Sequence, residues 1–211
     1  MKLQLALDDI TLDAAVELLK EVSDHVDIIE IGTPFVIEYG MEAVRTIRKH
    51  FPNKEILCDA KIMDGGTIEA NSAFRAGSDY VTVLGVTDKA TLNAVVQAAK
   101  VQQKRVVVDL LCVESFEKTI PALEDLGVDM VAVHVGVDQQ ISGRTPLQDL
   151  IEIKSIVKRV QVAVAGGINS KTLAEYLVQK PDIVIVGGAI INAADPATEA
   201  KNIYSQIQEA T

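Results

Sequence analysis

The chain has 211 residues, with 20 Lys and Arg against 30 Asp and Glu, a net charge of −10. An acidic chain without a basic cluster has no counter-charge for a phosphate backbone, which excludes nucleic acid as the main partner. Hydrophobic residues at 48% with aromatics at only 4% call for a core of Val, Ile, Leu and Ala, and the longest uncharged apolar stretch, residues 183–194, is far short of the ~20 needed to span a bilayer.

Short β-branched runs recur along the chain at a nearly even interval: residues 3–7, 27–31, 55–60, 80–84, 105–111, 130–135, 160–165 and 183–186. Several, such as Val106-Val107-Val108 and Ile183-Val184-Ile185-Val186, are apolar throughout. Such strands are buried on both faces, as in a parallel sheet covered by helices. Between them lie helical faces: Val16, Leu19 and Val22; Val44, Ile47 and Phe51; Leu92, Val95 and Ala99; Ile120, Leu123 and Leu126; Leu150, Ile153 and Val157; and Ala200, Ile203 and Ile207. Residues 65–76 are less amphipathic and are assigned as helix because the alternation demands one. Thr145-Pro146 and Asp195-Pro196 each read as a capping residue before a proline at the first helical position, and Ser170 as the cap of a helix beginning near Lys171.

Eight strand–helix units without a linker predict a single-domain (β/α)8 barrel spanning residues 1–211. The rival is an open doubly wound sheet, but its dinucleotide version needs a Gly-x-Gly-x-x-Gly after the first strand, where Asp8-Asp9 stand. The N-terminus lacks the apolar stretch and small-residue cleavage site of a secretory signal. Cys58 and Cys112 each sit in apolar, strand-like sequence that indicates no disulfide framework. A soluble, reduced, cytoplasmic protein is expected.

In a barrel, side chains just past the strand C-termini converge on one mouth. Those positions hold Asp8, Glu30, Asp59 with Lys61 and Asp64, Gly85, Asp109, His134, Gly166-Gly167 and Gly187-Gly188. Asp59 and Lys61, two apart on an extended strand, point to the same side, and carboxylates around the Lys keep it protonated. Glu30 and Asp59 on adjacent strands suit Mg²⁺, which seldom uses a full protein cage, or else simply balance Lys61. The two Gly-Gly pairs end strands seven and eight, where barrels often bind phosphate through backbone N–H groups. A His within an apolar run is usually a core residue. The mouth position of His134, with no other base of near-neutral pKa beside it, favours catalysis. Asp138, Gln139 and Gln140 follow in the loop and are placed to line the pocket.

The motif Asp59-x-Lys61-x-x-Asp64, with Asp8 and Glu30 before it and two Gly-Gly loops after, resembles the orotidine monophosphate decarboxylase suprafamily, and within it the 3-hexulose-6-phosphate synthase branch. The resemblance runs through residues 5–8, 30–33, 59–66, 134–140, 165–168 and 186–190. It implies Mg²⁺-dependent condensation of formaldehyde with D-ribulose 5-phosphate to D-arabino-hex-3-ulose 6-phosphate. It further implies that Glu30 and Asp59 ligate the metal and that Gly166, Gly167, Gly187 and Gly188 bind phosphate. Lys61 would hydrogen-bond the enediolate and His134 would move the proton at C1, with Asp109 in the catalytic set and Asp8 on the substrate. A homodimer is implied, with Asp64 completing the partner's site. The 3-keto-L-gulonate 6-phosphate decarboxylase branch shares the metal and Lys motif but usually has Glu at the position of Asp109 and Arg at that of Val137. The nucleotide decarboxylases have an arginine where Gly188 or Ala189 stands. A non-catalytic phosphosugar-binding barrel is the reading from another class.

Overall fold

The computed structural model describes residues 1–210. Its strands are β1 (Lys2–Leu7), β2 (Ile28–Ile31), β3 (Glu55–Ile62), β4 (Tyr80–Leu84), β5 (Arg105–Asp109), β6 (Met130–His134), β7 (Gln161–Ala165) and β8 (Ile183–Val186). Each pairs in parallel with the next, and β8 pairs back onto β1 from Lys2↔Ile183 to Leu5↔Val186, so the sheet closes. Closure excludes the open doubly wound alternative, which would leave two unpaired edges. The (β/α)8 expectation therefore holds, and no helix among the described residues is long and apolar enough to cross a membrane.

Alternation along the strands explains the continuous apolar runs. Ile28, Leu57, Tyr80, Val107, Met130, Ala163 and Ile183 fill the barrel interior. Their neighbours Ile29, Ile56, Val81, Val106, Val131, Val162 and Val184 face outward onto Val44, Ile47, Val95, Leu150, Ile153 and Ile203 of the helices. Each such buried side chain is worth about 1.5–3 kcal/mol, so both faces of every strand favour the same closed arrangement.

The helical expectations hold over Leu12–Val22, Met41–His50, Lys89–Val101, Phe116–Leu126, Leu147–Ile156 and Pro196–Glu209, and the weakly amphipathic segment is indeed a helix, Gly66–Ala76. Asp195 caps as read, accepting the Thr198 N–H with Pro196 in the first turn. Two cap readings are corrected. Pro146 itself is the N-cap of Leu147–Ile156, with no side-chain bond from Thr145. At the other, Asn169 rather than Ser170 accepts the Lys171 and Thr172 N–H groups, because its longer side chain folds back over the turn. Cys58 is buried as expected, but Cys112 lies past the end of β5 in an exposed turn with φ +62°.

A fourfold device at the foot of the barrel escaped the sequence reading. Every second strand is preceded by an Asp whose carboxylate accepts a backbone N–H from the strand before it. Asp27 takes Leu3 at 2.8 Å, Asp79 takes Ile56 at 3.0 Å, Asp129 takes Val106 at 2.9 Å and Asp182 takes Val162 at 2.8 Å. Each of these N–H groups belongs to the second residue of its strand and points toward the following strand before the ladder there begins, so the carboxylate supplies the missing acceptor.

Candidate active site

The C-terminal strand ends surround a cavity of about 1070 Å³. Asp8, Glu30, Asp59, Lys61, Asp109, His134, Gly166, Gly167, Gly187 and Gly188 all line it. Asp64 does not. It is exposed on the turn after β3, where its Oδ1 accepts the Gly65 N–H at 2.7 Å.

A chain of charge runs across the floor. Lys61 Nζ lies 2.7 Å from Asp59 Oδ2 and 2.9 Å from Asp109 Oδ2, and Asp109 Oδ2 lies 2.9 Å from His134 Nδ1. Asp109 is 2% exposed. Burial alone would raise its pKa, but the bond to His134 and the charge of Lys61 outweigh it and hold the carboxyl down to about 2. An ionised carboxylate only accepts, so Nδ1 carries the His134 proton and Nε2 is left to act as base toward the cavity. Burial likewise works against the Lys61 ammonium, and the charges of Asp59 and Asp109 overcome it, so Lys61 stays protonated at any working pH.

Asp59 and Lys61, expected two apart on a regular extended strand, do share β3, but the strand is irregular there. Strand β3 runs on to Ile62 through a register shift, and Lys61 adopts φ +45°. Lysine in that region costs of order 1–3 kcal/mol and persists only where the surroundings enforce it. The side chains of Asp59 and Lys61 do meet on one side, but through this irregularity rather than through regular pleating.

Two further groups that the sequence reading did not single out hold Asp59. Thr33 Oγ1 lies 2.8 Å from Asp59 O and Oδ2, and Thr82 Oγ1 donates to Asp59 Oδ1 at 2.7 Å. Thr82, within the apolar run of β4, carries no signal of its own, and only the register shows which face it occupies; Thr33 opens the helix that follows β2.

Glu30 is buried beside Asp59, and burial first, then the Asp59 charge, pushes its pKa up to about 8. Gln4 Nε2 donates to Glu30 Oε2, while Gln4 Oε1 is buried with no hydrogen-bond partner. Glu30 thus makes no ion pair among the described residues, the Lys61 charge acting on it only weakly, and Gln4 Oε1 lacks a donor. A hydrated Mg²⁺ would suit both, with charge for the two carboxylates and a water O–H for the amide, since this ion characteristically keeps several waters. Among the described residues no three His, Cys, Asp or Glu groups form a cage, and Glu30 and Asp59 are the carboxylates that would hold Mg²⁺. Asp8, at the rim, has its pKa raised by burial and by Asp59.

Opposite these groups are the glycine pairs. At Gly166, φ is +128° and a Cβ would stand 2.9 Å from Val135 O. At Gly167, φ is +68° and a Cβ would stand 3.0 Å from Gln140 Oε1. Both positions demand glycine, and the bare backbone they expose is what an anion approaches. Gln140 is drawn in by its bond to Val135 O at 2.8 Å, and Asp138 also lines the cavity. Arg144 pairs with Asp149 at 2.8 Å and does not line the cavity.

The sequence model of the orotidine 5′-phosphate decarboxylase / HUMPS family matches residues 1–203. A 3-hexulose-6-phosphate synthase of Bacillus subtilis (strain 168) is 46% identical over 207 residues, covering 98% of this chain and 99% of the relative. The crystal structure of 3-hexulose-6-phosphate synthase from Salmonella typhimurium superposes with a TM-score of 0.98 at 50% identity, covering 100% of both chains. A 3-keto-L-gulonate-6-phosphate decarboxylase structure from Vibrio cholerae matches with a TM-score of 0.87 at 28% identity, covering 100% of this chain and 98% of the other. Matched along nearly its whole length in both sequence and fold, the chain belongs to the orotidine 5′-phosphate decarboxylase / HUMPS family.

Proposed function

We propose that this chain is an aldehyde-lyase that condenses formaldehyde with D-ribulose 5-phosphate to D-arabino-hex-3-ulose 6-phosphate. The observation that carries the reading is that the Lys61–Asp109–His134 chain and bare glycine backbone line one cavity. That arrangement suits a phosphosugar held at one end and deprotonated at the other. Similarity to the synthases at 46–50% identity, against 28% for the gulonate decarboxylase, supports this branch over its cousin. So does Val137, which lines the cavity where the decarboxylases carry an arginine.

In this mechanism the Gly166–Gly167 and Gly187–Gly188 backbones hold the phosphate, fixing the sugar so that remote binding energy orients C1. Asp8 contacts the sugar. His134 Nε2 removes a proton from C1, while Asp109 keeps the proton on Nδ1 and steadies the imidazolium that forms. The Lys61 ammonium donates to the developing enediolate oxygen. Charge stabilisation of this kind is commonly the largest catalytic contribution. The C1 carbon then attacks formaldehyde, a C–C bond forms as the formaldehyde C=O π bond breaks and the C2 carbonyl re-forms, and the formaldehyde oxygen takes up the proton held by the His134 imidazolium. Mg²⁺, when held by Glu30 and Asp59, supplies positive charge to the same oxygens.

A homodimer belongs to this proposal, with Asp64 of each chain entering the other's site. Exposed Ile37, Met63, Ile68 and Val86 lie on consecutive βα units around Asp64 and support an apolar contact there. The test is incubation with ribulose 5-phosphate and formaldehyde, with Mg²⁺ or with EDTA. Formaldehyde is expected to disappear only with Mg²⁺, and its persistence there would overturn the assignment. Release of CO₂ from 3-keto-L-gulonate 6-phosphate faster than formaldehyde is consumed would favour the decarboxylase. Tight sugar-phosphate binding without turnover would favour a binding barrel.

A further inference from the structure

The ladder between β3 and β4 pairs Cys58 with Val81 and then Ile62 with Val83. Four residue steps on β3 therefore face two on β4, and the surplus lies at Asp59-Ala60-Lys61. Within it, Lys61 takes the left-handed conformation with φ +45°. The residue facing this surplus is Thr82, which is 5% exposed and points into the mouth cavity. Its hydroxyl accepts the Lys61 N–H at 2.9 Å and donates its one proton to Asp59 Oδ1 at 2.7 Å. Both capacities of the group are thus used, each on one of the two residues whose side chains meet in the site. Among the described residues no other side chain bonds both the backbone of Lys61 and the carboxylate of Asp59.

We infer that Thr82 is a positioning residue: its hydroxyl braces the irregular segment of β3 and so sets where the Lys61 ammonium and the Asp59 carboxylate stand. A strained backbone holds only while it is over-determined, and the N–H bond to Thr82 is the restraint acting on the strained residue itself. The inference rests on the reading of Lys61 and Asp59 as site groups.

Valine has the shape of threonine without the hydroxyl, and serine keeps the hydroxyl without the methyl. Thr82→Val is expected to lower kcat about 10–100-fold, the scale on which sub-ångström to ångström misplacement acts. Its KM for ribulose 5-phosphate is expected to stay within about twofold, because the glycine loops after β7 and β8 are untouched. Thr82→Ser is expected to retain kcat within about threefold of the wild type, by the same comparison of transition-state and ground-state effects. A crystal structure of Thr82→Val is expected to show Lys61 leaving the positive-φ region or its Nζ leaving Asp59. A folded Thr82→Val with wild-type kcat, or loss of kcat in Thr82→Ser as deep as in the valine variant, overturns the inference. If the valine variant does not fold, Thr82→Ala is put through the same comparison. If the wild type consumes no formaldehyde, the proposed activity fails by itself. The crystallographic arm then judges Thr82, and an unmoved Lys61 and Asp59 in Thr82→Val overturn its role.

Discussion

At the scale of single residues, the site is organised by which groups keep their charge. Asp109 stays ionised at the centre, so it fixes the tautomer of His134 and the protonation of Lys61 together. His134→Ala is expected to lower kcat by about 10²–10⁴, the usual worth of a positioned base, while leaving sugar-phosphate affinity nearly unchanged. Steady-state kinetics beside a direct binding titration checks this, and equal losses in both would reduce His134 to a wall of the pocket. Glu30 shows the opposite balance, being buried next to a like charge. Saturating Mg²⁺ is expected to raise the Tm of the wild type, because a ligand that binds only the folded state stabilises it. The same addition should leave the Tm of Glu30→Gln unchanged, and an equal rise in both proteins would remove Glu30 from the metal site.

At the scale of elements, the barrel separates the ends of its strands by task. The feet are tied by Asp27, Asp79, Asp129 and Asp182, and the mouths carry the chemistry. Val106 is 1% exposed, so removing its acceptor strands a buried N–H. Asp129→Ala is therefore expected to cost about 1–3 kcal/mol in urea unfolding without changing kcat. A kcat loss in this variant would mean that foot and mouth are coupled. The repeat was visible in the sequence as an Asp immediately before the runs that begin at Ile28, Tyr80, Met130 and Ile183. It acquires meaning only when the register places each Asp against the preceding strand. Element ends show the same limit. The apolar run predicts a strand over 105–111, but β5 stops at Asp109, whose Oδ1 accepts the Leu111 N–H at 2.9 Å and turns the chain.

At the scale of the whole molecule, opposed pKa shifts shape stability against pH. Burial pushes Glu55 and Asp79 upward, but Lys2 and Tyr80 around the first, and Lys104, the Ile56 N–H and Arg48 around the second, outweigh it. Both carboxyls therefore lie below their ordinary values of 4.5 and 3.8. Their contribution is present above those values and is lost as the pH falls through the lowered ones. Glu30 has the reverse sign. Its raised value, about 8 against an ordinary 4.5, adds stability that is complete below 4.5 and disappears as the pH climbs to 8. Without divalent metal, Tm is expected to peak in mildly acidic solution and to fall on both sides. Glu30→Gln should flatten the alkaline limb alone, and an unchanged limb would contradict the burial of that charge. The dimer proposal is tested at this scale too. Lys61→Ala and Asp64→Asn are each expected to be inactive, whereas subunit exchange between them should restore about a quarter of wild-type activity, since half the dimers hold one intact site. No recovery after verified exchange would oppose the shared site.

Periodicity and strand-end chemistry determined the architecture and most of the mouth, because burial on both faces of a strand leaves a mark on every residue of its run. The acids, the lysine, the histidine and the glycine pairs stood out for the same reason, as polar or side-chain-free positions closing apolar stretches. Tertiary structure alone decided that the strand holding Lys61 is irregular, that Asp64 lies outside its own cavity, and that Gln4, Thr33 and Thr82 support the carboxylates. The first and last of these depend on register and on bonds between residues more than 20 positions apart, and a hydroxyl or amide within an apolar run looks the same whether it faces the barrel mouth or the helices.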